Sequence, residues 1–275
     1  RLITAFERHL STLAAMPACR YIGVLATGYD VVDLEQATRQ NIVVTNVPAY
    51  GTNSVAQMVF TLLLELCNHA GLHSDAVRQG AWSRRPDWCF WQKPLIELAG
   101  KTIGIVGYGR IGKKVAEIAH AFDMKAIVTS AHHPADLPPG IAWGSLDEVF
   151  ATADVVSLHC PLLPSTRGLV NSARIAQMKP GASLINTSRG GLIVEEDLAE
   201  ALRSGRLGAA ALDVLTAEPP IASNPLLGLE NCIITPHIAW ATDQSRARLL
   251  DTAISNLEMW IDGHPQNVVN PAIAS

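Results

Sequence analysis

Two rhythms of apolar and polar positions run along this chain. Short, nearly unbroken apolar runs at Thr102 to Val106, Lys125 to Thr129, Val155 to His159, Ser183 to Asn186, Ala209 to Asp213 and Cys232 to Thr235 predict buried parallel strands. Between them the apolar positions return at helical spacing. From Lys113 to Phe122, Ile111, Val115, Ile118, Ala119 and Phe122 share one face, and further helices are expected at Ser145 to Ala151, Ser172 to Met178 and Val194 to Ser204. Strand and helix in strict alternation predict an α/β chain with a doubly wound parallel sheet. Ahead of it, a helix over Ala5 to Ala15 and strands at 21–26 and 42–46 suggest a second, smaller α/β unit. A long helix, capped by Thr52 or Asn53, is expected from Ser54 to about Ala70, continuing to Arg78; another spans 244–262. The division expected is 1–54 with 243–275 for the smaller domain and 55–242 for the larger. Arg1 in place of Met, inside a helix with no strand ahead of it, predicts an incomplete N-terminus.

Composition narrows the class. Of 275 residues, 48% are hydrophobic and 17% charged, enough for well-filled cores and too apolar for extended disorder. A net charge of -4 without a basic block argues against a nucleic-acid partner. The most apolar stretch, Val55 to Leu66, is interrupted by Gln57 and Glu65 and is too short to span a bilayer. Cys19, Cys67, Cys89, Cys160 and Cys232 lack C-x-x-C spacing, which predicts free thiols in a cytoplasmic protein and no metal site.

The chemistry gathers at the strand tips. Gly107, Gly109 and Gly112 form G-x-G-x-x-G where the first strand becomes a helix, the arrangement of a Rossmann dinucleotide site. The next strand ends on Ser130, then Ala131, His132 and His133, where an acidic residue would hold the ribose of NAD. Ser130 either hydrogen-bonds a ribose hydroxyl or leaves room for a 2′-phosphate that protonated histidines would favour, so both NAD and NADP stay open. Other tips carry Cys160-Pro161, Thr187-Ser188-Arg189, Asp213 and Pro236-His237. An imidazole at His237 can exchange a proton with a carbonyl oxygen, Arg189 can grip a carboxylate bidentately, and Glu218, on a loop stiffened by Pro219 and Pro220, can raise the histidine pKa if the two meet. The loop around Thr27 and Gly28 offers a backbone nest for a small anion. Trp82, Trp88 and Trp91 crowd the loop 80–94; they either anchor a long connection or cover a partner subunit, and with the apolar helix 54–70 they make a homodimer the expected assembly.

Val106-Gly107-Tyr108-Gly109-Arg110-Ile111-Gly112, Ile185-Asn186-Thr187-Ser188-Arg189-Gly190-Gly191, Ala211-Leu212-Asp213-Val214 with Glu218-Pro219, and Thr235-Pro236-His237-Ile238 together resemble the D-isomer-specific 2-hydroxyacid dehydrogenase family over essentially the whole chain. Segments 24–29, 87–91 and 237–241 resemble its glycerate dehydrogenase, or hydroxypyruvate reductase, branch. The resemblance implies a Rossmann domain with a smaller, flavodoxin-like α/β substrate domain. It also implies hydride transfer between a nicotinamide cofactor and a D-2-hydroxy acid/2-oxo acid pair, with D-glycerate and hydroxypyruvate first and glyoxylate also accepted. In that family the positions of Arg189, Glu218 and His237 are catalytic. Those of Arg110 and Ile111 contact the pyrophosphate, those of Cys160, Pro161 and Thr166 lie by the adenosine half, those of Thr187 and Asp213 contact the nicotinamide or ribose, and Ser188 is a further cofactor-binding position. Backbone N–H groups at Thr27 and Gly28 would join Arg189 and His237 on the substrate. Two readings stand beside this one: a dehydrogenase for another D-2-hydroxy acid, and a non-catalytic dinucleotide sensor of the same fold.

Overall fold

The computed structural model describes residue 13, residues 15–134 and residues 136–270. The helix expected over Ala5 to Ala15 lies outside them except for residues 13 and 15. By internal contacts the chain divides into two units, one reaching to Gly51 and resuming at Trp240, the other running from Thr52 to Ala239.

In the smaller unit, β1 (Tyr21–Gly23) and β2 (Val43–Thr45) pair in parallel, with α1 (Leu34–Arg39) between them in sequence. Asp33 caps α1 by accepting from the Gln36 N–H at 2.9 Å. Ile22, Val24, Ala37, Ile42 and Val44 form the core. Asn270 prolongs the sheet with its side chain: Oδ1 accepts from Val44 N–H and Nδ2 donates to Ile42 C=O, both at 2.9 Å. The loop after β1 is tied to the one after β2, since Thr27 Oγ1 donates to Val47 C=O at 3.0 Å and Asn46 Nδ2 to Thr27 C=O at 2.8 Å. The helix Asp243–Ile261 starts on a Thr242 cap and packs against β1, with Tyr21 and Trp260 ring centroids 5.0 Å apart.

The larger unit opens with α2 (Thr52–Asn68) and α3 (Ala70–Arg78). The sequence reads these as one helix capped by Thr52 or Asn53. Instead α2 begins at Thr52 itself, and His69 breaks the run by taking a left-handed conformation at φ 49°. Among the described residues no single helix is long and apolar enough to cross a membrane; α2 and α3 reach that length only as a pair bent by 58°. The buried face of α2 (Val59, Phe60, Leu63, Leu66) packs into a core instead.

Seven parallel strands follow: β3 (Thr102–Val106), β4 (Lys125–Thr129), β5 (Ile141–Trp143), β6 (Val155–Leu158), β7 (Ser183–Asn186), β8 (Ala209–Leu212) and β9 (Cys232–Ile234). Their spatial order is β5-β4-β3-β6-β7-β8-β9. The order therefore reverses between β3 and β6, where a doubly wound sheet opens a crevice at its carboxyl edge. Central strands are apolar on both faces because helices cover both. One face meets α2 and α4 (Arg110–Ala121), burying Ile103, Ile105, Ile185 and Ala211. The other meets α5 (Leu146–Thr152), α6 (Ser172–Gln177) and α7 (Glu195–Arg203), burying Val156, Leu158, Leu184 and Leu212. A reciprocal pair of bonds between Ser145 and Glu148 fixes the start of α5.

Candidate active site

The switch point is built by close backbone contact. Gly107 has φ 103°, and a Cβ there would come within 2.5 Å of Cys160 N and the His159 carbonyl carbon; one on Gly112 would come within 2.2 Å of Gly107 O. A Cβ on Gly109 would meet nothing within 4 Å. The turn is therefore packed from below and open above. Gly109, at the cap of α4, supplies no side-chain acceptor, so the first N–H groups of the helix, those of Arg110 and Ile111 among them, keep their capacity for an anion. Arg110 is exposed and Ile111 half-buried at the first turn of α4. Beneath the glycines, His159 lies next to the backbone of Gly107, with Nε2 2.9 Å from Ser157 Oγ. Burial pushes its pKa down to about 4, so the ring is neutral at physiological pH.

Ser130 follows β4 directly and is half-buried. His132 and His133 are both exposed, but His133 is tied back: its ring packs 4.3 Å from that of Trp143, and Nδ1–H donates to Pro134 C=O at 2.7 Å. Past β6, Cys160 is buried and Pro161 exposed. Thr166 Oγ1 closes that loop by donating to Pro161 C=O at 2.7 Å and accepting from Leu163 N–H at 2.8 Å. Burial raises the thiols of Cys67, Cys160 and Cys232, the last to about 12, which leaves none of these three a thiolate near neutral pH.

The tip of β7 presents Arg189. Asn186 is fully buried and shapes the turn, accepting from Ser188 N–H at 3.0 Å and donating Nδ2–H to Arg189 C=O at 2.9 Å. Ser188 Oγ donates to Cys160 C=O at 2.8 Å, and Arg189 Nη1 to Ser188 C=O at 2.9 Å. Thr187 Oγ1 is buried without a hydrogen-bond partner among the described residues. An orphaned hydroxyl at the tip of β7, on the sheet whose β3 ends in an open glycine turn and an uncapped helix start, suits a dinucleotide that supplies the missing partner. These residues fit the cofactor.

Gly190 brings the next loop close: a Cβ on it would lie 1.9 Å from the Leu215 carbonyl carbon. Glu195 secures that loop, accepting from Thr216 N–H at 2.6 Å and Asn224 Nδ2 at 2.7 Å. Glu218 Oε1 accepts from Leu215 N–H at 2.9 Å and Oε2 from His237 Nδ1–H at 2.7 Å. Burial alone would raise the Glu218 pKa, but hydrogen bonds from His237 and Leu215, then the charges of His237 and Arg189, bring it below the ordinary value. His237 moves the other way: its hydrogen bond to Glu218 raises it against the opposing effect of burial, with the charges of Glu218 and Asp213 adding and Arg189 opposing. Arg189, Glu218 and His237, read from separate motifs, form one electrostatic group. Asp213 is fully buried at the tip of β8. Thr27 and Gly28 sit on the loop after β1, in the smaller unit.

Sequence reasoning passed over Asn186, Glu195 and Thr235 as working residues. An Asn closing an apolar strand ahead of a turn signals a side-chain-to-backbone bond, and that cue was available. Glu195, 21 residues from its partner Thr216, had none.

A doubly wound sheet with a glycine turn at its switch point and an Arg-Glu-His group at its carboxyl edge suits a nicotinamide-dependent dehydrogenase, and the comparisons show that class. The model of the D-isomer specific 2-hydroxyacid dehydrogenase NAD binding domain matches residues 60–239. A hydroxypyruvate reductase from Blautia hydrogenotrophica is 52% identical over 255 residues, covering 92% of this chain and 79% of its own. A glycerate dehydrogenase from Methylorubrum extorquens is 37% identical over 270 residues, covering 98% and 84%. The crystal structure of D-lactate dehydrogenase from Aquifex aeolicus, complexed with NAD and lactic acid, superposes with a TM-score of 0.85 at 31% identity, covering 95% and 83%. The chain belongs to the D-isomer-specific 2-hydroxyacid dehydrogenase family. It is an NAD(P)-dependent oxidoreductase acting on the CH–OH group of D-2-hydroxy acids.

Proposed function

We propose that this enzyme interconverts hydroxypyruvate and D-glycerate, with glyoxylate as a second 2-oxo acid, and that Arg189, Glu218 and His237 carry the reaction. The observation that carries the mechanism is the 2.7 Å bond from His237 Nδ1–H to Glu218, which orients the ring and raises its pKa. When bound, the nicotinamide supplies the hydride to C2. Arg189 holds the substrate carboxylate and stabilises charge growing on the carbonyl oxygen. His237, kept protonated by Glu218, gives that oxygen its proton and takes it back in the reverse direction. The choice of hydroxypyruvate rests on the 52% identity to the Blautia enzyme.

Following absorbance of NADH, and separately NADPH, on addition of hydroxypyruvate, glyoxylate or pyruvate tests the reading. Fastest oxidation with hydroxypyruvate is expected. Silence with all three acids despite cofactor binding would overturn it, in favour of another D-2-hydroxy acid or a dinucleotide sensor.

Cofactor choice follows from Ser130. Without a carboxylate at the end of β4, a 2′-phosphate meets no like charge, and NADPH is accepted beside NADH. Ser130→Asp is expected to raise the KM for NADPH by about tenfold or more while lowering that for NADH. An unchanged ratio of the two would remove Ser130 from cofactor choice.

The assembly we propose is a cytoplasmic homodimer. Trp82, Trp88 and Trp91 are 49%, 86% and 62% exposed, and beside them His73, Val77, Phe90 and Leu95 line an apolar hollow of about 320 Å³. So much exposed aromatic surface in one loop favours a protein partner over water. Light scattering after gel filtration is expected to give twice the chain mass for the native enzyme and a shift toward monomer for Trp88→Asp; a native monomer would refute the assembly.

A further inference from the structure

We propose that Asp213 is a positioning residue for His237, its buried carboxylate clasping the segment 235–239 so that the imidazole stays on Glu218. This rests on the reading of His237 as the acid and base, and assigns the residue that sets its geometry.

Asp213 closes β8, the neighbour of β9, and its own backbone N–H donates to Asn186 C=O at 2.9 Å. Its side chain has no exposed surface. Oδ1 accepts from Thr235 Oγ1 at 2.5 Å and Ile238 N–H at 3.0 Å, and Oδ2 from Ala239 N–H at 2.8 Å. Its carbonyl oxygen accepts from His237 N–H at 2.8 Å. One residue therefore binds the chain two positions before His237, at His237, and at both positions after it. Between these anchors His237 has φ 54°, a left-handed conformation that a residue with a Cβ rarely keeps unless its surroundings impose it. Three donors converging on one buried carboxylate supply that constraint. If the clasp is lost, the backbone at 237 can return to negative φ and swing the ring off Glu218. The Asp213 charge has a second effect, helping to raise the His237 pKa.

The family resemblance implies a contact between Asp213 and the nicotinamide side of the cofactor. The clasp acts through His237 and not through the cofactor, so the two roles predict different outcomes. Asp213→Asn keeps the shape but turns an N–H₂ toward one of its present donors. Thr235→Val removes one donor at the edge of the clasp, and Thr235→Ser restores it.

Steady-state reduction of hydroxypyruvate across pH, NADH affinity from protein fluorescence, and titration of the His237 ring by ¹⁵N NMR without substrate would be measured for all three variants, with His237→Asn as reference. Asp213→Asn is expected to lower kcat about 100-fold, move the His237 titration to lower pH and leave NADH affinity within about twofold. Thr235→Val should follow the same pattern more weakly, and Thr235→Ser should recover. Weakened NADH binding with an unmoved His237 titration would overturn the proposal in favour of a cofactor contact. Unchanged kcat and titration would overturn it outright. If Asp213→Asn does not fold, the Thr235 pair decides, and equal turnover and titration in Val and Ser variants would refute the clasp. Full activity in His237→Asn would instead refute the acid–base assignment, while the NMR titration still reports on the clasp.

Discussion

Replacing Arg189 with Ala is expected to lower kcat/KM for reduction of the 2-oxo acid by about 10³-fold, the scale of removing a preorganised donor from a developing oxyanion. Asn186 fixes the turn that carries Arg189 by bonding its backbone carbonyl and the Ser188 N–H, and the guanidinium donates to Ser188 C=O, so the side chain is oriented before substrate arrives. In the proposed mechanism it serves both carboxylate and carbonyl oxygen, and the loss should therefore appear in KM and kcat together. Arg189→Lys keeps the charge without the planar fork and should recover only part of the activity. Steady-state kinetics with circular dichroism as a folding check would decide, and activity intact in the Ala variant would remove Arg189 from the mechanism.

The second large effect concerns the proton. His237→Asn is expected to reduce turnover by about 10²- to 10⁴-fold, and Glu218→Gln to change its pH dependence. Reduction needs the imidazolium, so kcat/KM for the 2-oxo acid should stay level at low pH and fall as pH rises through a His237 pKa above its ordinary 6.5. Oxidation needs the neutral ring and should rise through the same value. The hydrogen bond that His237 donates to Glu218 is the largest influence raising that pKa, so Glu218→Gln should shift both limbs to lower pH. A pH profile of kcat/KM in each direction tests this. Limbs that stay in place in the Gln variant would mean that Glu218 does not tune the acid.

Much of this architecture is legible without coordinates because a doubly wound sheet writes itself as apolar runs ending in Gly, Asn, Asp or Pro. The expected strand at Ser183 to Asn186 matches that observed, and those at Val155, Ala209 and Cys232 end one residue sooner, before their functional tips. Elements that escaped are short. Ile141–Trp143 has three residues, only partly buried at the sheet edge, and Leu34–Arg39 has six; neither is long enough for its period to show. The break at His69 carries no Gly or Pro to announce it. At the site, Arg189, Glu218 and His237 stood out because each occupies a strand tip or a proline-stiffened loop. Thr235 and Glu195 did not, because hydrogen bonds across 21 or 22 positions leave no local pattern.

The contact at Gly190 sets a limit on how such an enzyme can be remodelled. With no room for even one carbon between that glycine and Leu215, the turn that carries Arg189 and the loop that carries Glu218 are held backbone against backbone. A designer who shifts one to admit a bulkier substrate retunes the other unasked. New substrate ranges are therefore best sought in surfaces that do not touch this block, with the glycine left alone.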